Sequence, residues 1–395
     1  MKKPLIVQKF GGTSVGSIER IENVAEQIIK AKNDGNQVVV VVSAMSGETN
    51  RLMDLAKQVD DVPCARELDV LLSSGEQVSM ALLAMMLSKL GHPARSLTGG
   101  QAHIITDGQH NDATIKHIDT KVIKDLLAQE QIVIVAGFQG INDNGDITTL
   151  GRGGSDTSAV VLAGALAADE CQIFTDVDGV YTSDPRVVPS AQKMEVIDFP
   201  SMTEMARKGA KVLHLPCVEF AWSNNLPLRV LSSFTPSQGT LVTGDIGDKP
   251  VVGIAIQREM SLIHIDNTYL SSVQKQCQML GIAIWNVIEH PERAGIVIKR
   301  DANAKLSLVF GDKIRNSEEV SLLTTVGLQA KGLKDHAHEL LCQQDVSVSH
   351  ISTTDRTLVF VVLPNCVDKA ANILHDAYIT ESEAFDCQQK HAFLD

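Results

Sequence analysis

The sequence predicts an α/β protein: a three-layer αβα sandwich on a mainly parallel sheet, followed by two ferredoxin-like modules. Three observations predict this. Up to about Leu231, short β-rich runs alternate with helical patterns, the signature of βαβ units. The runs Val38 to Val42 and Ile132 to Ala136 are wholly apolar and of strand length, so they suit a sheet covered on both faces. Beyond residue 250 a β-α-β-β pattern occurs twice.

The elements follow in order. Strand Leu5 to Lys9 leads to a helix capped by Ser17, with Ile18, Ile21, Ala25 and Ile28 on one face and Gly35 just past its end. Strand Gln37 to Val42 comes next. Glu76 to Leu90 reads as a largely apolar helix stopped by Gly91, and Asp119 caps a helix running into strand Ile132 to Ala136. Ser155 or Asp156 caps a helix from Thr157 to Ala168, before strand Cys171 to Thr175. The polar stretch Thr243 to Pro250 reads as a linker. Strand Ser261 to Asp266, helix Tyr269 to Leu280 and strands Ile282 to Ile288 and Gly295 to Lys299 make the first module. Strand Val320 to Val326, helix Lys331 to Gln343, strands Val346 to Ser352 and Thr357 to Leu363 and helix Val367 to Ala377 make the second. The expected domains are 1–243, 251–315 and 316–395.

Composition narrows the function classes. With 395 residues and 44% apolar content the chain can bury full cores. A formal net charge of -13 opposes binding to nucleic acid or an anionic membrane, so a basic site must be local. The seven Cys form no C-x-x-C pair and read as reduced, mostly buried thiols, which places the protein in the cytoplasm. The apolar run after Met1-Lys2-Lys3 is too short for a signal core, and no segment approaches a membrane span. The twelve His are scattered, which gives a zinc site or nucleophilic triad no support.

Ligands of parallel sheets bind at the carboxyl ends of the strands. The segments there are Lys9 to Ser14, Ser43 to Asn50, Gly137 to Gly140, Thr149 to Asp156 and Thr175 to Tyr181, all polar or Gly-rich. Gly11-Gly12 and Gly153-Gly154 each precede a helix, so exposed backbone N–H groups and the helix dipole cradle a polyphosphate. Neither a P-loop nor a dinucleotide fingerprint occurs. Lys9 offers a point charge to a transferring phosphoryl group, and Arg152 a planar fork suited to a carboxylate.

Lys9-Phe10-Gly11-Gly12-Thr13-Ser14 and Gly151-Arg152-Gly153-Gly154-Ser155-Asp156 resemble the signatures of the aspartokinases, in the amino acid kinase family. Ser43 to Asn50, Ser73-Ser74-Gly75-Glu76, Phe174 to Arg186, Gly209 to His214 and Pro227 to Val230 reinforce the resemblance, which covers Val7 to about Leu241. It implies transfer of the γ-phosphoryl group of ATP to the side-chain carboxylate of L-aspartate, with Mg²⁺ carried on the ATP. By this analogy Lys9, Asp156 and Lys211 are catalytic. Lys9, Phe10, Gly11, Gly12, Ser14, Thr175, Asp176, Tyr181, Asp184, Arg186 and Lys211 hold ATP. Arg152 clamps the aspartate α-carboxylate, Glu76 faces its ammonium, and Ser43, Thr49, Gly153, Gly154 and Ser155 complete the pocket. Direct metal ligands are left unassigned.

The C-terminal repeat is similar to the paired ACT modules of that family, with His350 to Asp355 the segment that carries the match. It implies a homodimer through these modules and an amino-acid effector, lysine or threonine. Asp266 to Leu270 stands where a Pro-Gly turn is common, and Ile284 to Val287 where a Gln-Asn pair often contacts the effector. The same residues also suit two other readings: a kinase of the same family acting on glutamate, acetylglutamate or a carbamate, and a non-catalytic amino-acid sensor.

Overall fold

The computed structural model describes residues 3–210, 212–245 and 250–380. They form two units. The first contains residues 3–180, 194–199 and 212–245, and the second residues 181–193, 200–210 and 250–380.

The first unit is built on an eight-stranded sheet. Its order is Val196–Ile197, Thr240–Val242, Leu228–Ser232, Glu170–Thr175, Leu5–Phe10, Gln37–Val42, Ile132–Ala136 and Ala94–Leu97. All neighbours run parallel except Leu228–Ser232 and Thr240–Val242. Val38 to Val42 are all fully buried, as expected of a strand covered on both faces. On one face lie the helices Ile18–Asn33 and Ala65–Lys89, sharing a core of Ile21, Ala25, Ile28, Met80, Leu83 and Leu87 with Val38, Val40 and Ile134. Helix Gly154–Leu166 packs against the strands Leu5–Phe10, Gln37–Val42 and Glu170–Thr175. A four-stranded sheet, Ile115–Ile118, Ile104–Thr106, Gln139–Ile141 and Ile147–Thr149, completes the unit.

Strand Leu5–Phe10 lies in the middle: Lys9 pairs with Val41 on one side and Ile173 on the other. The chain leaves this strand first toward Gln37–Val42 and much later returns to its opposite edge as Glu170–Thr175. That reversal opens a crevice at the carboxyl end of the central strand.

Several boundaries differ from the sequence reading. Ser17 caps the first helix as expected, its side chain accepting from Arg20 N, but Ile18 is exposed. Helix Ala65–Lys89 passes straight through Ser73-Ser74-Gly75, because a Cβ at Gly75 would lie 2.8 Å from Ala44 Cβ and only glycine lets the helix pack so closely there. By length and apolarity alone this helix is capable of crossing a membrane, contrary to the expectation that no segment approaches a span, and half of its most apolar window is buried in the unit. It carries the buried polar residues Asp69, Ser73, Glu76 and Ser79, so it is the core helix of the first unit. Asp119 does not cap the following helix itself; Thr120 is the cap, and Asp119 accepts from Lys121 N at 3.0 Å. Helix Gly154–Leu166 starts before Ser155 and Asp156, which therefore occupy its first turn while Gly153 is the cap. Of the six Cys among the described residues only Cys171, Cys217 and Cys277 are buried, and all six are free thiols.

The second unit holds one antiparallel six-stranded sheet, ordered Ile284–Glu289, Arg293–Lys299, Gly253–Asp266, Ile314–Val326, Thr357–Val362 and Val348–Thr353. The two long central strands pair along most of their length. The expected 315/316 boundary therefore falls inside a strand, and both modules share these two strands. Helix Leu270–Met279 covers the first half through Leu270, Val273 and Cys277 against Ile263, Ile296 and Ile298. Helices Lys334–Gln343 and Val367–His375 cover the second through Ala337, Leu341, Ala370 and Leu374 against Leu323, Leu358 and Phe360. The edge strands approach one another, with Ser352 Oγ donating to Asn286 Oδ1 at 3.2 Å. The sheet therefore curls, and Met260, Leu262, Val320, Leu322, Val359 and Val361 form a core on its other face.

The expected first boundary at residue 243 is also too simple. Residues 181–193 belong to the second unit because Ile254 N donates to the Thr182 carbonyl at 2.7 Å, Ser183 Oγ donates to the Ile254 carbonyl at 3.0 Å, and Val188 is buried beside Val251 and Ile254. The linker expected over Thr243 to Pro250 lies partly outside the described residues.

The fully buried Leu83 tests the first unit's core. Leu83→Ala should destabilise it by about 2–5 kcal/mol through lost transfer energy and the cavity left behind. Urea unfolding followed by circular dichroism measures this; a loss under about 1 kcal/mol would show that the contact is unimportant.

Candidate active site

The crevice opens into a cavity of about 890 Å³. All five strand-end segments contribute: Lys9, Gly12 and Thr13; Ser43 to Gly47 and Thr49; Phe138; Thr149 and Gly151 to Asp156; and Asp176. These segments are bonded to one another. Ser43 N donates to the Phe10 carbonyl at 3.1 Å, Ser46 N to the Gly12 carbonyl at 3.1 Å, and Gly137 N to the Val42 carbonyl at 3.0 Å.

Lys9 is fixed by its central strand, and its Nζ lies 2.6 Å from Asp156 Oδ1. Their side chains are 11% and 20% exposed, so little water screens the attraction that holds the ammonium in place. Asp156 stands in the first turn of helix Gly154–Leu166, where the helix dipole favours a negative charge. Two glycines make this geometry accessible. A Cβ at Gly12 would lie 2.8 Å from the Ala44 carbonyl oxygen. Gly153 has φ +71, and a Cβ there would lie 2.6 Å from the His214 ring.

Arg152 lies exposed on the cavity lining, and among the described residues it makes no ion pair. A planar, unneutralised fork here is ready for an incoming carboxylate. Glu76 presents the opposite need. It is 3% exposed and its Oε1 accepts from Ala44 N at 3.0 Å, but Oε2 is buried without a hydrogen-bond partner among the described residues. Burial pushes its carboxyl from 4.5 up to about 7, against the smaller opposing effects of the backbone N–H groups of Ala44 and of Glu76 itself. A cation brought to Oε2 would relieve both the missing bond and the desolvated charge.

Of the residues expected from sequence, Lys9, Gly12, Ser43, Thr49, Glu76, Arg152, Gly153, Gly154, Ser155, Asp156 and Asp176 line the cavity. Phe10 and Ser14 do not. The Phe10 ring is fully buried, stacked on Phe174 with centroids 4.5 Å apart, and Ser14 Oγ is bonded to Ser233 Oγ. Any ligand contact at Phe10 is therefore confined to its backbone. A Cβ built on Gly11 would meet Lys9 Nζ at 3.4 Å, and Thr175 Oγ1 donates to Asp176 Oδ1 at 3.0 Å. Tyr181, Asp184 and Arg186 belong to the second unit, where Asp184 and Arg186 pair at 2.8 Å. Lys211 lies outside the described residues.

Phe138 and Thr149 lie in the expected strand-end segments and line the cavity without having been given a role there, whereas sequence reasoning missed Asn111, which also lines it, and Asp69, which holds Asn111 and Thr149. The only local sign of Asp69 was its place seven residues before Glu76, two helical turns away on the same face. Among the described residues no three His, Cys, Asp or Glu gather into a metal cage.

Residues 4–232 match the model of the amino acid kinase family. The chain is 44% identical to an aspartate kinase of Pseudomonas putida over 405 aligned positions, covering 96% of this chain and 98% of that one. Among solved structures it is similar to E. coli aspartokinase III in complex with lysine and aspartate (T-state): TM-score 0.79, 25% identity, 95% of this chain and 99% of that chain. It is also similar to the same enzyme in complex with aspartate and ADP (R-state): TM-score 0.77, 24% identity, 94% and 99% covered.

Glu76 also makes a stability prediction. Because its folded value lies above the ordinary one, the stability it contributes is complete below pH 4.5 and is lost as pH rises through about 7, a change of about 3 kcal/mol. Glu76→Gln should remove that slope, so the variant gains on the parent between pH 5 and pH 8 in urea unfolding. Parallel pH profiles would show that Glu76 does not titrate in this range.

Proposed function

This chain belongs to the amino acid kinase family, and we propose that it is an aspartate kinase, transferring the γ-phosphoryl group of ATP to the β-carboxylate of L-aspartate to give 4-phospho-L-aspartate. This is the first step toward the aspartate-derived amino acids. The observation that carries the reading is a single cavity holding a paired Lys9, an unpaired Arg152 and a buried, half-satisfied Glu76. Those groups complement an amino acid bearing two carboxylates and an ammonium.

The chemistry asks little of acid–base catalysis. The acceptor side chain, with an ordinary pKa of about 3.9, is ionised at neutral pH and attacks without a general base. The barrier comes from bringing one anion onto another, so the protein must supply positive charge and oriented N–H donors where they meet. Lys9 supplies a cation at the strand end and Asp156 fixes its direction. The first turn of helix Gly154–Leu166 offers its N–H groups and positive dipole to phosphate. We assign Arg152 to the α-carboxylate and Glu76 to the ammonium, with Ser43, Thr49, Gly153, Gly154 and Ser155 closing the pocket. Glu76 would ionise as the ammonium arrives and release its proton to solvent.

For the nucleotide we assign the main chain of Phe10, Gly11 and Gly12 together with Lys9, Ser14, Thr175, Asp176, Tyr181, Asp184, Arg186 and Lys211, Lys211 also serving catalysis. Asp156 and Asp176 line the cavity with carboxylate oxygens, a donor set that suits a magnesium ion carried on the phosphates. When bound, that ion would neutralise phosphate charge. Lysine or threonine as effector and a homodimer through the C-terminal modules remain part of the proposal; the edge strands Ile284–Glu289 and Val348–Thr353 suit pairing with a second copy. The free thiols Cys64 and Cys342, both exposed, suit a reducing cytoplasm.

A coupled assay should show faster turnover of aspartate than of glutamate, acetylglutamate or a carbamate; a better acceptor among these would overturn the substrate assignment. Lys9→Ala should lower kcat by roughly a hundredfold or more while circular dichroism stays unchanged. Near-normal kcat would remove Lys9 from the mechanism.

A further inference from the structure

Helix Ala65–Lys89 turns two buried carboxylates to the same side, and the protein treats them oppositely. Glu76 is left with an unpartnered oxygen, whereas Asp69, fully buried, is saturated by protein donors. Thr149 Oγ1 donates to Asp69 Oδ1 at 2.5 Å, Asn111 N donates to the same oxygen at 3.1 Å, and His110 Nδ1 lies 2.6 Å from Oδ2. These donors come from two segments far from the helix in sequence, and both segments line the cavity, through Asn111 and through Thr149.

The two segments are also tied to each other and to the Arg152 loop. Ala113 N donates to the Thr149 carbonyl at 2.9 Å. Asn111 sits at φ 66, in the left-handed region that asparagine tolerates better than most residues, and its N–H is aimed at Asp69 there. A Cβ on Gly151 would lie 2.7 Å from Asp112 Oδ1, so this loop backs directly against the residue before Arg152. Leu150 N donates to the Phe138 carbonyl at 2.9 Å, which carries the connection to a further cavity wall.

We infer that Asp69 is a positioning residue for the acceptor end of the site: its carboxylate locks Thr149 and Asn111 and thereby sets where Arg152 meets the α-carboxylate of the amino acid. The inference rests on the assignment of Arg152 to the acceptor. Asp69 is well suited because an ionised carboxylate accepts at both oxygens and donates at neither, so all three donors are served together. An asparagine in its place turns one acceptor into a donor aimed at a donor, and at least one of the three ties is lost.

The test uses the full chain, with the KM values for aspartate and for ATP measured separately from kcat. The parent must first turn over aspartate; if it does not, the proposed function itself fails, a result distinct from those below. Asp69→Asn and Thr149→Val should each raise the aspartate KM about tenfold or more, a larger factor than any fall in kcat, and should leave the ATP KM within about twofold. Thr149→Ser, which restores a hydroxyl, should recover most of the aspartate KM. The double variant Asp69→Asn/Thr149→Val should be little worse than either single one, since both break the same tie. If Asp69→Asn does not fold, the comparison of Thr149→Val with Thr149→Ser decides. An aspartate KM within twofold of the parent in Thr149→Val, or equal rises in both KM values, would overturn the inference.

Discussion

The proposed phosphoryl transfer between two anions requires a cation held still in a place that water does not fully screen, and the short Lys9–Asp156 pair is the group we propose for it. Both partners belong to the rigid frame: Lys9 to the central strand, fixed by neighbours on each side, and Asp156 to the first turn of a helix packed on that strand. A lysine on a loop would spread its charge over many rotamers, and a lysine with no acid nearby would be drawn toward bulk water. An ion pair this little exposed is weak evidence for stability, because desolvation offsets most of the attraction. Its value is directional. The glycines around it follow from the same demand, since any side chain at Gly12 or Gly153 would collide with the opposite wall.

The rest of the cavity extends the same electrostatic pattern. A chain of net charge -13 keeps a local set of cationic and dipolar groups on one sheet edge, beside two buried acids with unlike surroundings. These are Asp69 and Glu76, on a single helix. Three donors make one carboxylate part of the scaffold, while a single backbone bond leaves the other needing a cation. The pressure on Glu76 follows from desolvation, and an ammonium ligand would relieve it.

Much of this was legible in the sequence wherever one residue type has few alternatives. The run Val38 to Val42 can hardly be anything but a covered strand, Ser17 is a good cap, and the paired glycines mark close approaches. The strand-end rule collects ten of the expected residues at one cavity, and Glu76 joins them from the helix Ala65–Lys89. It failed where the deciding contact is distant. Ser73-Ser74-Gly75 looks like a break, and only its contact with Ala44 explains an unbroken helix. Asp69 is 41 to 80 residues from its side-chain partners, so its spacing from Glu76 is the one local sign and does not reveal what it holds. The segment 181–193 joins the second unit through a strand more than sixty residues later, which no composition shift marks. The first ferredoxin-like strand begins at Gly253 and not at Ser261 for a similar reason: the half that serves the second module precedes the half that serves the first.

A crystal structure of the chain with a non-hydrolysable ATP analogue and L-aspartate bears most directly on how Lys9 works. The γ-phosphate should lie against Lys9 Nζ with the aspartate β-carboxylate in line and roughly 3–3.5 Å from it, while Arg152 grips the α-carboxylate. Aspartate bound with Arg152 facing away from it, or a γ-phosphate out of reach of Lys9, would contradict this picture.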